Sequence, residues 1–474
     1  MKVTTQQFRE EARKALGDEI LQRALAKAKP GFINKRKKAV DALPEFDALR
    51  ADARAITEHT LAHLDYYLER FEANVVANGG VVHWARTADE ANQIILGICE
   101  AAGAHSVIKG KSMIAEEMAL NESLEGAGLE VVETDLGEYI IQLAEEHPSH
   151  IIAPAAHKTR EQITELFYKH HRQYGKTERQ TEPKALVDEA RSVLRDKFLN
   201  ADVGITGANF LVAESGANVL VTNEGNGDLT STLPRVHIVT AAIDKVIPDL
   251  EDLSTLLRVL ARSATGQEMS SYTTLYNGPR RPGDLDGPEE YHVVLLDNGR
   301  SALLGSEFHE MLRCIRCGAC LNHCPVYGAI GGHAYGWVYP GPMGAVLTSL
   351  MLGTDEAPDL ANACSLNGRC NEVCPLRIPL PRMLRDLRAV QFHKGGRGVR
   401  GKFALQVWVF FASRPNLYHA STSLMVKVWR RVAGKRGVST FAPFAGGWTA
   451  HRDLPVPEGK TFIQRWKRER GRTQ

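Results

Sequence analysis

The sequence predicts an α/β domain joined to an all-α cysteine-rich domain, with helices at its start and a basic helical tail. From Gly80 onward short apolar runs alternate with stretches of helical periodicity, the rhythm of a largely parallel sheet with covering helices. Seven of the eight cysteines fall between Cys314 and Cys374, and the segment between their two runs is long enough for helices instead of a hairpin. The opening residues and the end of the chain carry apolar side chains at helical spacing among charges. The expected domains are therefore 1–78 (helical), 79–298 (α/β), 299–391 (helical, ferredoxin-like) and 392–474 (basic).

Thr5 to Ala28 places Phe8, Ala12, Ala15, Leu16, Ile20, Leu21 and Leu25 on one helical face. A second helix is expected from about Leu49 to Asn78, with an aromatic patch at Tyr66, Tyr67 and Phe71. Both are expected to wrap or pair the next domain. Its strands are predicted at Val81–Trp84, Ser106–Lys109, Leu129–Glu133 and Ile151–Pro154, with helices starting at Asp89, Ser112, Leu136 and Thr159. After a helix near Lys184 to Leu199 the chain turns β-rich, through Asp202–Thr206, Asn209–Ala213, Val219–Thr222 and His237–Thr240. Such a change often marks the functional edge of an open α/β sheet. Asn277–Pro288 is a Pro- and Gly-rich surface loop, and Tyr291–Asp297 a last strand.

Gly204, Gly207, Gly216, Gly225 and Gly227 supply positive φ or close backbone approach. With Glu214, Ser215, Asn223, Glu224, Asn226, Thr230 and Thr232 they give the polar composition of a ligand pocket, and equally that of tight turns. Lys109-Gly110-Lys111-Ser112 fails as a phosphate-binding P-loop because His105 stands where the first glycine is required. What survives is a strand-to-helix turn with Ser112 as N-cap and the lysines Lys109 and Lys111 nearby, able to cap the helix or to hold a carboxylate or phosphate at its N-terminus.

The cysteines carry the sharpest signal. Cys314-x2-Cys317-x2-Cys320-x3-Cys324-Pro325 is the bacterial ferredoxin arrangement, in which the cysteine beside proline serves the other cluster. The second run, Cys364-x5-Cys370-x3-Cys374-Pro375, has Asn367 where a full copy has cysteine. Crossed ligation assigns Cys314, Cys317, Cys320 and Cys374 to a [4Fe-4S] cluster, and Cys324, Cys364 and Cys370 to a [3Fe-4S] or a labile [4Fe-4S] cluster. So many thiolates crowd a tetrahedral zinc site, and a chain this size needs no disulfide staples. Cys99, in an apolar run, reads as buried and inert.

The cysteine block, together with Gly207–Gly216 and Val221–His237, resembles the LutB family, the iron–sulfur subunits of bacterial lactate-utilisation systems; the latter stretches are similar to the LUD domain. The resemblance covers essentially the whole chain. It implies a LUD-type α/β domain, similar to CoA-transferase and sugar-phosphate-isomerase folds. It also implies a subunit passing electrons from oxidation of L-lactate to pyruvate toward a quinone or other acceptor, with LutA-like and LutC-like partners. The second cysteine run also resembles the three-iron site of the succinate dehydrogenase iron–sulfur subunit.

Composition is ordinary for a multidomain globular chain, 43% hydrophobic over 474 residues. No apolar stretch reaches spanning length, and no cleavable signal opens the chain, so a cytoplasmic setting is expected. The net charge of +2 hides an asymmetry, because Lys394 to Gln474 holds 17 Lys plus Arg against 3 Asp plus Glu. With the bulky residues of 407–411 and 424–431, that tail is expected to meet a partner subunit, the inner membrane face or the cysteine domain, or to lie in solvent. Nucleic acid ranks last, for want of a recognition motif. The chain shows no Gly-x-Gly-x-x-Gly fingerprint, so two-electron oxidation of a hydroxy acid points to a subunit role. The alternatives are a ligand- or redox-sensing scaffold with structural clusters, and a complete enzyme with lactate in the Glu214–Asn226 loops.

Overall fold

The computed structural model describes residues 3–394, 398–433, 437–441, 449 and 452–470, with the side chains of Lys29 and of residues 398–400 set aside. Parts of the basic region 392–474 therefore lie outside the described residues. Residues 1–391 form one compact unit and 392–474 another.

Among its described residues the first unit contains ten strands: β1 (Val81–Ala85), β2 (Ser106–Lys109), β3 (Glu130–Glu133), β4 (Val203–Gly207), β5 (Phe210–Val212), β6 (Ala217–Thr222), β7 (Val236–Ala242), β8 (Val246–Ile247), β9 (Tyr272–Tyr276) and β10 (Glu290–Leu296). Six build a wholly parallel sheet in the order β1-β10-β7-β4-β2-β3. Alternation of side chains explains why its central strands read as unbroken apolar runs. Val294 and Leu296 of β10 face the helices Ala88–Ala101 and Met113–Glu117, while Tyr291, Val293 and Leu295 face the helix Leu64–Ala77. A smaller mixed sheet, β8-β5-β6-β9, lies beside it.

Three expectations need correction. Ile151–Pro154 is a bent loop, not a strand; its Ser149 N–H donates to the Pro154 carbonyl at 3.1 Å. It tucks against the cysteine domain, where Tyr327 Oη donates to the Ser149 carbonyl at 2.8 Å. The opening helices also do more than flank the α/β domain. Gln22 Nε2 donates to the Ala329 carbonyl at 2.8 Å, Arg9 pairs with Asp359 at 2.6 Å, and Arg36 donates to the Val373 carbonyl at 2.9 Å. The expected helix from Leu49 breaks at His63, giving Phe46–Ala62 and Leu64–Ala77.

One core runs through Phe8 and Phe46, through Phe210 and Val219 of the small sheet, through Leu253 to Leu260, and into the cysteine domain as far as Leu387. In the second unit the helices Gly398–Ala412 and Pro415–Ala433 leave Phe403, Trp408, Leu424 and Val432 exposed. Among the described residues no helix is long and apolar enough to cross a membrane.

Candidate functional site

The two cysteine loops are backbone copies of each other. In Cys314-Ile-Arg-Cys317-Gly318, Arg316 and Gly318 adopt φ of 54° and 72°; in Cys364-Ser-Leu-Asn367-Gly368, Leu366 and Gly368 adopt 55° and 84°. Each glycine then starts a short helix, Ala319–Asn322 or Arg369–Val373, that carries the next cysteine inward. Asn367 therefore occupies the position of Cys317. Its exposed side chain accepts from the Arg369 N–H at 3.2 Å, an interaction that turns the amide back on its own loop.

Cys314, Cys317, Cys320 and Cys374 line one cavity, closed by Met343, Ile378 and Leu380. None of the eight cysteines is joined in a disulfide. Burial, reinforced by Cys374, pushes the Cys317 thiol up to about 12, and burial with the other three thiols raises Cys320 well above the ordinary range. Burial, then Cys364 and Cys324, takes Cys370 up to about 12. Thiols so placed do not ionise for one another's sake; a cationic iron centre would supply the charge that makes them thiolates, so the donor set fits iron–sulfur ligation. Backbone N–H groups already point at sulfur, from Tyr327 to Cys324 Sγ at 3.5 Å, Leu366 to Cys364 Sγ at 3.3 Å and Ile378 to Cys374 Sγ at 3.4 Å. Arg50 adds two donors to the Cys374 carbonyl, at 2.7 and 3.1 Å.

A buried ionic chain ties the first loop to the α/β domain. Lys245 Nζ donates to the Cys314 carbonyl at 2.9 Å and pairs with Asp244. Asp244 meets Arg300 at 3.3 Å, and Arg300 grips Glu117 through two donors at 2.9 and 2.7 Å. Tyr339 Oη, beneath Arg316, also donates to Glu117. Charges this deep are tolerable because each is paired.

At the carboxyl edge of the parallel sheet a cleft of about 390 Å³, ligand-sized, opens between the turns after β2, β3 and β4, and Ile315 and Arg316 form part of its wall. Of the predicted pocket residues it gathers Ser112, Asn223, Glu224 and Asn226, with Gly207 and Gly227. Ser112 caps its helix through the Ala115 N–H at 3.2 Å and shares a hydrogen bond with Thr240 at 2.9 Å. Burial and Asp135 raise the Glu224 carboxyl. Lys109 is elsewhere, wholly buried between Glu133 at 2.7 Å and Glu116 at 3.1 Å. Glu214 and Ser215 sit at the far turn of the small sheet, accepting from Leu250 N–H at 3.4 Å and Ala217 N–H at 3.3 Å. The sequence reading missed Lys245, Asp135 and Arg316, which also line the cleft. Lys111 lies two residues past the end of β2, so the turn at Gly110 and not strand alternation separates it from Lys109; Arg316 was hidden as a spacer between cysteines.

A parallel α/β domain whose ligand edge abuts paired cysteine loops defines a LUD-domain iron–sulfur protein. The LUD domain model matches residues 68–296, the 4Fe-4S dicluster domain 310–378, and the C-terminal model of lactate utilisation protein B 386–471. The chain is 42% identical to lactate utilization protein B of Bacillus velezensis (99% of this chain, 98% of that one) and 41% identical to that of Bacillus subtilis (98% and 96%). It is 40% identical to the uncharacterized electron transport protein YkgF of Escherichia coli, over 99% of this chain and 98% of that one. The chain belongs to the lactate utilization protein B family.

Proposed function

We propose that this chain is the iron–sulfur electron-transfer subunit of an L-lactate oxidation complex. Cys314, Cys317, Cys320 and Cys374 hold a [4Fe-4S] cluster, and Cys324, Cys364 and Cys370 hold a [3Fe-4S] or labile [4Fe-4S] cluster. When bound, the clusters supply single-electron relay from the lactate-oxidising partner toward a quinone or another acceptor. The observation that carries this proposal is the convergence of cysteines from two stretches of chain on one cavity. The chain's own part is to bury those thiols, to aim N–H donors at sulfur, and to set Arg36, Arg50 and Lys245 around the first site, where positive charge favours the reduced state. The names of the relatives supply the lactate connection, and LutA-like and LutC-like partner subunits are what the family resemblance implies. The basic tail would place the protein at the inner face of the membrane, where its exposed Trp408 and Leu424 suit an interface.

Anaerobic purification followed by low-temperature EPR and iron analysis tests this. Cys374→Ser is expected to abolish the signal of the first-run cluster and Cys324→Ser that of the second, each across the motif boundary. Loss of each cysteine's own-run signal instead would reject crossed ligation. Asn367→Cys is expected to convert a three-iron signal to a four-iron one. A colourless chain that binds zinc would end the proposal.

A further inference from the structure

The cleft beside the first cysteine loop is lined by two cations, Lys111 and Arg316. Lys111 Nζ donates to the Ile152 carbonyl at 2.5 Å, and Arg316 lies over the Tyr339 ring at 5.1 Å. Among the described residues neither forms an ion pair with a carboxylate, although both line the cleft. Arg316 is held there at φ of 54°, a conformation disfavoured for any residue with a Cβ. The same turn recurs at Leu366 of the second loop, so it belongs to the cysteine loop, and at position 316 it carries a guanidinium into the cleft wall beside Cys314. Facing these cations are Asp135 and Glu224. Two carboxyl groups repel a multiply charged anion, yet they accept readily from a hydroxyl. Asn226 adds a buried amide oxygen with no hydrogen-bond partner. The size, the mixed charge and the apolar wall of Ile151 and Leu260 together suit a small molecule with one carboxylate and one further oxygen.

We propose that this cleft binds a small monocarboxylate bearing a hydroxyl or keto oxygen, held by Arg316 and Lys111, and that its occupancy is linked to the redox state of the four-cysteine site through Arg316. The linkage rests on those cysteines holding an iron–sulfur cluster; the binding site does not. A ligand anion next to a group that gains an electron is held less tightly after reduction. Reciprocity then requires that the bound ligand lower the reduction potential by the same free energy.

Calorimetric titration of the anaerobically purified full chain with L-lactate and pyruvate, and with inorganic phosphate as control, is expected to show one carboxylate site per chain. Arg316→Gly and Lys111→Met should each weaken it at least tenfold. Glycine is the choice at 316 because it accepts the positive φ, and unchanged circular dichroism and iron content verify the fold. An EPR-monitored redox titration at saturating pyruvate should shift the potential downward. Tenfold tighter binding to the oxidised protein corresponds to about 59 mV for a one-electron couple. Arg316→Gly should abolish that shift, whereas Lys111→Met, saturated with more ligand, should retain it. A cluster-bearing chain that binds neither probe, that binds phosphate equally well, or whose affinity ignores both substitutions overturns the site. Binding without any shift in potential overturns the linkage. A chain without an iron–sulfur signal defeats the electron-transfer reading instead, and calorimetry still decides the site.

Discussion

His237 shows how burial alone sets a titration. It lies on β7, wholly buried between Tyr276 and Tyr291, with the Thr206 hydroxyl 2.8 Å from Nε2. Burial holds it down to about 3, so the folded chain keeps it neutral while the unfolded chain takes up a proton near pH 6.5. The depressed value means its contribution is complete above about pH 6.5 and is lost as pH falls toward 3. Between pH 7.5 and 5.5 this one residue is expected to remove about 1 kcal/mol of stability. Urea unfolding at both pH values should show a smaller drop for His237→Gln, which keeps a partner for Thr206; equal drops would mean that His237 is not the titrating group. Lys109 is the opposite case. Its ammonium is as deeply buried as His237, yet Glu133 and Glu116 hold it charged, so it is structural cement and not the anion contact the sequence suggested.

The turn after β6 depends on a close approach that only glycine allows. A Cβ on Gly204 of β4 would lie 1.8 Å from the Thr230 carbonyl, on the helix Asn226–Thr232 that brings Asn226 to the cleft. Gly204→Ala must therefore push that helix off the sheet, at a cost of about 1–3 kcal/mol. Lower urea stability together with weakened carboxylate binding is the expected result, and stability unchanged within error would contradict the packing. Elements of this kind mark the limit of what the sequence reveals. The parallel strands were legible because burial on both faces leaves continuous apolar runs, and the helix starts expected at Asp89, Ser112, Leu136 and Thr159 fall within two residues of the side chains that cap them, Thr87, Ser112, Asp135 and Thr159. Ile151–Pro154 has the same apolar look but bends, its shape set by Tyr327 and Gly332 nearly two hundred residues later. Strand β9 was missed because it is an edge, with Tyr272 and Leu275 exposed. That Cys314, Cys317, Cys320 and Cys374 converge was legible from spacing, since the intervals repeat those of a cluster-binding loop. The cleft was legible only in part, because Arg316 reaches it through tertiary packing.

The fold joins the cysteine domain to the rest of residues 1–391 so closely that it does not stand as a separable ferredoxin. Phe8, Phe46, Phe210, Val219 and Leu256 share one core with Leu321, Tyr335, Val346 and Leu384, so the cysteine segment alone would expose much of its interior to water. Its polar ties run the same way, from Arg36 and Arg50 to the carbonyls of Val373 and Cys374, and from Lys245 to that of Cys314. Residues 392–474 form a unit of their own, whose helices bury no residue among those described. Two truncations therefore separate in outcome. A chain ending after Gln391 is expected to fold, retain the iron content of the full protein and bind carboxylate with unchanged affinity, while losing whatever attachment the tail provides to anionic vesicles or partner subunits. A fragment of residues 299–391 is expected to be insoluble or unfolded by circular dichroism and to hold no iron after reconstitution. If that fragment assembled both clusters with native EPR signals, the shared core would be dispensable, and the contact between cleft and first cysteine loop would reflect two domains merely lying side by side.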